Sequence, residues 1–175
     1  MSRYTQLFTD TQSFLAGNPE QAIAKFSVES RGKDGLYREV KIRNFHVEVD
    51  EPPALGGTDA APNPVEYALA ALATCQEITY RLHADALGIP LNDVSVRLEG
   101  EIDLRGFFNA AEGVRPGYQR IRGTVEFDSP ASPEQLAKLK AAVDAHCPVL
   151  DLFRNATPVQ IAIAQGGSAE ERAAA

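Results

Sequence analysis

The sequence predicts an α+β fold. Two long segments open with helix-capping boxes and carry apolar residues at helical spacing, and at least five other stretches alternate apolar and polar residues as half-buried strands do. The expected order is β-β-long helix-β-β-helix-short helix-β, in which the helices need sheets to cover their apolar faces. No repeat of solenoid period and no long linker interrupts this pattern, so residues 22–165 read as one domain, after a helical extension at 1–21 and before a disordered tail at 166–175.

The elements follow in order. Arg3 to Leu15 suits a short helix that Gly17-Asn18-Pro19 ends. Ala22 to Ser30 alternates through Ile23, Lys25, Phe26 and Val28, and Arg31-Gly32-Lys33-Asp34-Gly35 supplies a turn into a second strand. That strand-like stretch runs from Leu36 to Asp50, with a bend or bulge near Asn44 that can split it, and Glu51 to Pro62 is a Pro- and Gly-rich loop. Asn63 caps the long helix, Pro64 takes its first position, Glu66 completes the capping box, and Gly88 and Pro90 end it after Leu87. Ala68, Ala71, Leu72, Cys75, Thr79 and Leu82 form its expected buried stripe, with Glu77 and Arg81 paired on a more exposed side.

Strands are expected at Val94 to Leu104 and Gln119 to Asp128, joined by a loop from Arg105 to Gly117. Ser132-Pro133-Glu134-Gln135 opens the second helix with another capping box, and the helix continues to His146. Proline disfavours helical geometry in the residue before it. Pro148 therefore takes Cys147 out of that helix and makes it the N-cap of a short new one, Pro148 to Arg154. Val159 to Ala164 is the expected last strand.

With 175 residues, 44% hydrophobic and 23% charged, the chain has the apolar content for one core, alone or completed by a second copy. A net charge of -7 and a pI near 5.0 leave no basic stripe to displace counterions, so nucleic acid is not an expected partner. No stretch approaches a membrane span and the N-terminus carries no secretory pattern, so the expectation is a soluble cytoplasmic protein with no membrane partner. His46, His83 and His146 are scattered and no CxxC or HxxxH occurs, so neither a metal nor another cofactor is expected.

The chemistry concentrates on two cysteines, Cys75 in the long helix and Cys147 at the helix break. A thiol at a helix N-cap faces the positive end of the helix dipole, which favours the thiolate. The competing reading of both as small buried apolar residues stays open at this point. Acyl transfer by a Cys-His pair has less support, because the histidine on the Cys75 helix, His83, lies more than two turns along it. Beside Cys147, His146 reads as a helix terminator, and Arg38 and Arg43 as solvated partners of Glu39 or Glu48.

The run Asn63-Pro64-Val65-Glu66-Tyr67-Ala68-Leu69-Ala70-Ala71-Leu72-Ala73-Thr74-Cys75 resembles the first cysteine helix of the osmotically inducible protein C and organic hydroperoxide resistance (OsmC/Ohr) superfamily. Asp50-Glu51-Pro52-Pro53-Ala54-Leu55-Gly56-Gly57 is similar to the loop entering that helix, and Leu87-Gly88-Ile89-Pro90-Leu91 to its exit. Cys147-Pro148-Val149 and Asn155-Ala156-Thr157-Pro158-Val159 resemble the second cysteine segment and the last strand, which extends the likeness from about Ala22 to Ala164.

This resemblance implies two antiparallel-rich sheets wrapped around two long central helices in an intertwined homodimer. It implies a Cys75 thiolate that attacks an organic hydroperoxide, a Cys147 thiol that resolves the sulfenic acid as a disulfide, and an external dithiol reductant of lipoyl or thioredoxin type. An apolar stripe around Cys75 favours an alkyl hydroperoxide over hydrogen peroxide. Hydroperoxide-reducing members supply an arginine oriented by a glutamate in the cysteine helix. Here the glutamate position reads Val65 with Glu66 beside it, and the arginine turn reads Lys33-Asp34-Gly35 with Arg31 upstream. Glu66, Lys33 and Arg31 are therefore the candidate supporting residues, although lysine lacks the forked geometry of arginine. A non-peroxidase OsmC-like dimer that binds a small apolar ligand is the alternative the same resemblance allows.

Overall fold

The computed structural model describes residues 3–164. It is α+β with antiparallel sheets: helix α1 (Arg3–Gly17), strands β1 (Glu29–Asp34), β2 (Tyr37–Ile42) and β3 (Phe45–Val49), helix α2 (Pro64–Leu87), β4 (Asp93–Ile102), α3 (Leu104–Phe107), β5 (Tyr118–Asp128), α4 (Pro133–His146) and α5 (Pro148–Arg154). Strands β1-β2-β3 form one antiparallel sheet, and β4-β5 a second.

α2 organises the molecule by packing against α1, β4, α4 and α5. Both capping boxes form: Asn63 accepts from the Glu66 N–H while Glu66 accepts from the Asn63 N–H, and Ser132 and Gln135 do the same for α4. Gly88 closes α2 in the left-handed region at φ 65°, a conformation that a Cβ disfavours. The core joins Tyr80 and Ala84 of α2 to Leu139 and Val143 of α4, with Ile89, Leu91 and Cys147. The loop entering α2 is anchored by buried Asp50, whose carboxylate accepts from the Thr58 N–H and hydroxyl and the Ala60 N–H. Among the described residues no helix is long and apolar enough to cross a membrane.

Several sequence expectations shift. The first strand begins at Glu29, and Ala22 to Val28 is exposed coil, with Ile23, Phe26 and Val28 in solvent. The hairpin loop is Gly35-Leu36, so Lys33 and Asp34 lie in the strand. Leu36 to Asp50 divides at Arg43-Asn44, where a bend or bulge was expected to split it, into two antiparallel paired strands. The Arg105 to Gly117 loop starts with the short helix α3, capped by Asp103. Val159 to Ala164 forms no ladder, and Val159, Ile161 and Ile163 are exposed. A strand exists through hydrogen bonds to a neighbour, and within one chain both apolar segments lack one. Glu77 and Arg81 do not pair either. Arg81 donates to the Leu91 and Asn92 carbonyls at 2.5 and 2.8 Å, and Glu77 accepts from the Val96 N–H at 3.0 Å. The 166–175 tail lies outside the described residues.

Candidate active site

The two cysteines, 72 residues apart, meet. The Cys147 thiol donates to the Cys75 sulfur at 3.5 Å. Helix periodicity carries Cys75 to the α4-facing side of α2. The Pro148 break turns the chain so that Cys147 ends α4, with φ -77° and ψ 112°, and starts α5. Both thiols are free, Cys75 half-buried and Cys147 only 2% exposed. Of the two sulfurs, that of Cys75 belongs to the more exposed residue and that of Cys147 to the buried one.

Burial pushes the Cys147 thiol up. The N–H groups of Leu150 and Val149, from the first turn of α5, oppose that shift without overcoming it, and the adjacent Cys75 sulfur adds to it. Cys147 in the reduced protein is thus a thiol in an apolar cluster. The ring of His146, beside Cys147, stacks on that of His83, with centroids 5.3 Å apart and planes 4° apart. Phe8 of α1 meets His83 edge-on at 5.2 Å. Burial and the neighbouring His146 together hold the His83 imidazole below its ordinary value.

The other sequence-predicted residues are engaged elsewhere. Glu66 is in its capping box. Lys33 pairs with Glu39 at 2.5 Å and Arg31 with Glu29 at 2.6 Å, all on the exposed sheet. Among the described residues neither cation bonds to Cys75. Arg38 donates to the Gly35 and Tyr37 carbonyls and Arg43 lies over the Phe45 ring, so neither takes the carboxylate partner expected. Val65, at the position of the family glutamate, offers its carbonyl to the Tyr118 hydroxyl at 2.7 Å.

A cleft of about 760 Å³ lies between α2 and the second sheet, with Val65, Ala68 and Leu72 of α2 facing Leu98 and Ile121; neither cysteine lines it, although Leu72 and Gln76 flank Cys75 in sequence. Gln76 and Tyr80 continue that wall. Spacing of apolar residues alone missed both, because they are polar residues at the edge of the apolar stripe that α4 and the sheet bury. Arg120 and Arg122 on the rim are paired with Glu101 and Glu99. Among the described residues no cluster of three or more metal-ligating side chains occurs.

The structure is similar to several solved proteins. An OsmC-like protein from Mycoplasma pneumoniae matches with a TM-score of 0.66 at 19% identity, covering 75% of this chain and 88% of that one. An organic hydroperoxide resistance protein OsmC from Legionella pneumophila matches with a TM-score of 0.61 at 22% identity, covering 77% and 92%. An organic hydroperoxide resistance protein from Elizabethkingia anophelis matches with a TM-score of 0.62 at 20% identity, covering 77% and 91%. No protein of curated function matches. At these identities the likeness establishes the fold. The model of the OsmC-like protein family matches residues 57–162, more than half of the chain and a span that holds both cysteines, and the chain therefore belongs to the OsmC-like protein family.

Proposed function

We propose that this protein reduces organic hydroperoxides through Cys75, with Cys147 as the resolving thiol. The observation that carries the reading is the 3.5 Å separation of two free thiols of unequal exposure. The Cys75 thiolate attacks the terminal peroxide oxygen, the O–O bond breaks, and the alkoxide leaves as an alcohol after taking up a proton. The resulting sulfenic acid is condensed by Cys147 to a disulfide and water, and an external dithiol of lipoyl or thioredoxin type restores both thiols. The apolar cleft wall formed by Val65, Ala68 and Leu72, on the same helix as Cys75, supports an alkyl hydroperoxide, because an organic tail can be desolvated there. No cofactor is needed.

The active unit in this reading is an intertwined homodimer in the cytoplasm. Its support is the apolar surface a single chain leaves open: Phe26 at 92% exposure and Ile163 at 98%, on segments with strand-like sequence but no partner strand. On α2, Ile78 is 62% exposed on the side that also carries Ala70, Thr74 and Ala71, which is exposed where spacing placed it on the buried stripe, and this side suits packing against the same helix of a second copy. Lys33 and Arg31, on the outer strand of the first sheet, are the cations a second copy would bring to Cys75, and Glu66 the carboxylate to hold one there.

The test is the free-thiol count and intact mass of the reduced protein after one equivalent of cumene hydroperoxide. Loss of both thiols, with restoration by dihydrolipoamide or thioredoxin, is the expected result; survival of both overturns the reading. The alternative of a dimer that binds a small apolar ligand draws on the same cleft and on the engagement of Lys33, Arg31 and Glu66 elsewhere. Unreactive thiols together with an apolar molecule in the native mass spectrum would select it.

A further inference from the structure

Among the described residues Tyr80 is a core donor with nothing to donate to. It lies five residues beyond Cys75 on α2 and is fully buried, and among the described residues its hydroxyl has no hydrogen-bond partner. Buried tyrosines normally have that hydroxyl satisfied. Phenylalanine would fill the same space without the desolvation penalty, since the ring alone makes the edge-on contact with Phe127 at 5.1 Å. Packing therefore explains the ring and not the oxygen.

Its surroundings suggest an acceptor. Tyr80 shares its apolar cluster with Cys147, Leu139 and Val143. After burial, the groups that act on the phenol are Asp144 of α4 and Cys147; all three effects push it up, to about 12, so at neutral pH it keeps its proton and remains a donor. Asp144 is already served, by Lys140 at 2.7 Å and Arg154 at 3.7 Å. His146, the titratable neighbour of Cys147 on α4, is stacked on His83. From α2 the group facing Cys147 is Cys75, which accepts the Cys147 proton and gives nothing back. From α5 the Leu150 and Val149 backbone N–H groups act on Cys147. As a neutral thiol, Cys147 is a poor acceptor; as a thiolate it is a strong one.

We propose that Tyr80 is a positioning residue for the resolving half of the reaction: its hydroxyl turns onto the Cys147 sulfur and donates a hydrogen bond to the thiolate that attacks Cys75. The inference rests on the two-cysteine reading above. In this step the Cys147 sulfur bonds to the sulfur of the Cys75 sulfenic acid and the S–O bond breaks. Hydroxide leaves and combines with the proton that Cys147 released, giving water. The sulfenic sulfur is reduced and the Cys147 sulfur oxidised, both to the disulfide level, and Tyr80 keeps its own proton throughout. A donor unsatisfied in the resting protein and satisfied as charge develops contributes to the reaction and not to resting stability.

Tyr80→Phe tests this with three readouts. The first is the Cys147 pKa, followed by cysteine 13Cβ chemical shift in Cys75→Ser with and without Tyr80→Phe. Loss of the hydroxyl is expected to raise it by about one pH unit, the tenfold change a charge-assisted hydrogen bond can supply. The second is the rate of disulfide formation after cumene hydroperoxide, expected to fall about tenfold while sulfenic acid formation, read in Cys147→Ser, is unchanged. The third is thermal unfolding of the reduced protein, expected to stay level or rise, because the hydroxyl makes no bond to lose. An unchanged Cys147 pKa, an unchanged resolving rate or a clear loss of thermal stability each overturns the proposal. If the parent protein forms no disulfide, the two-cysteine reading fails, and the pKa comparison still decides whether Tyr80 serves Cys147.

Discussion

Oxidation of the cysteine pair should stabilise the fold by an amount that the chain topology sets. Cys75 and Cys147 are 72 residues apart in sequence and 3.5 Å apart between sulfurs. A disulfide brings that distance to about 2.05 Å, an approach of about 1.5 Å that rotation at the half-buried Cys75 can provide. Closing a loop of this length removes chain entropy from the unfolded state equivalent to about 4 kcal/mol, the upper bound if the native state takes up no strain. For a chain of this size that corresponds to a rise in unfolding temperature of roughly 8–16 °C. The assay is differential scanning calorimetry of reduced protein and of protein treated with one equivalent of cumene hydroperoxide, at one protein concentration, with Cys147→Ser as the control. A rise in the parent that is absent from Cys147→Ser is the predicted outcome. An oxidised form that unfolds at or below the reduced temperature would refute the reasoning, because it would mean the sulfurs cannot bond without breaking the packing of α2 on α4.

Three further outcomes follow from individual residues. Leu139 is fully buried between α4 and α2, so Leu139→Ala should lower the stability measured by urea unfolding by about 2–5 kcal/mol and slow disulfide formation. Asn63→Ala removes the side-chain half of the α2 capping box and should lower that stability by about 1 kcal/mol, with smaller effect on thiol reactivity. Asp50 is held down to about 2, chiefly by the Thr58 hydroxyl and then by the Glu51, Ala60 and Thr58 backbone N–H groups, with burial opposing them. Because the folded value lies below the unfolded one, its contribution is present above about pH 4 and is lost as pH falls toward 2. Asp50→Asn should therefore be less stable at neutral pH and show a flatter acid limb when unfolding is followed by circular dichroism from pH 5 to pH 2.

What the sequence disclosed was what short-range chemistry decides. Asn63 with Glu66 and Ser132 with Gln135 are contacts three residues apart, and both formed as read. The Cys147-Pro148 junction is equally local: proline constrains the residue before it, so the end of α4 and the start of α5 were legible to the residue. That Cys75 and Cys147 should meet came from the family resemblance and from no spacing in the chain. Ala22 to Val28 and Val159 to Ala164 have strand-like sequences, yet a ladder needs a second strand, and their exposed side chains match the expectation of a second copy without testing it. The Glu77–Arg81 pair lost to backbone groups that only the fold brings near, the Leu91 carbonyl and the Val96 N–H. Gln76 and Tyr80 escaped notice for a related reason. Polar residues beside an apolar stripe look solvated until another helix and a sheet determine how far the helix turns.

The central claim is that Cys75 is an open, peroxide-reactive thiol with Cys147 behind it. Its most direct test is the mass of Cys147→Ser after one equivalent of cumene hydroperoxide in the presence of dimedone, with peptide mapping and a parallel reaction with hydrogen peroxide. A dimedone adduct on Cys75, formed faster with the organic peroxide, is the predicted result. A Cys75 thiol that survives unmodified would contradict the account and turn attention to the cleft as a ligand site.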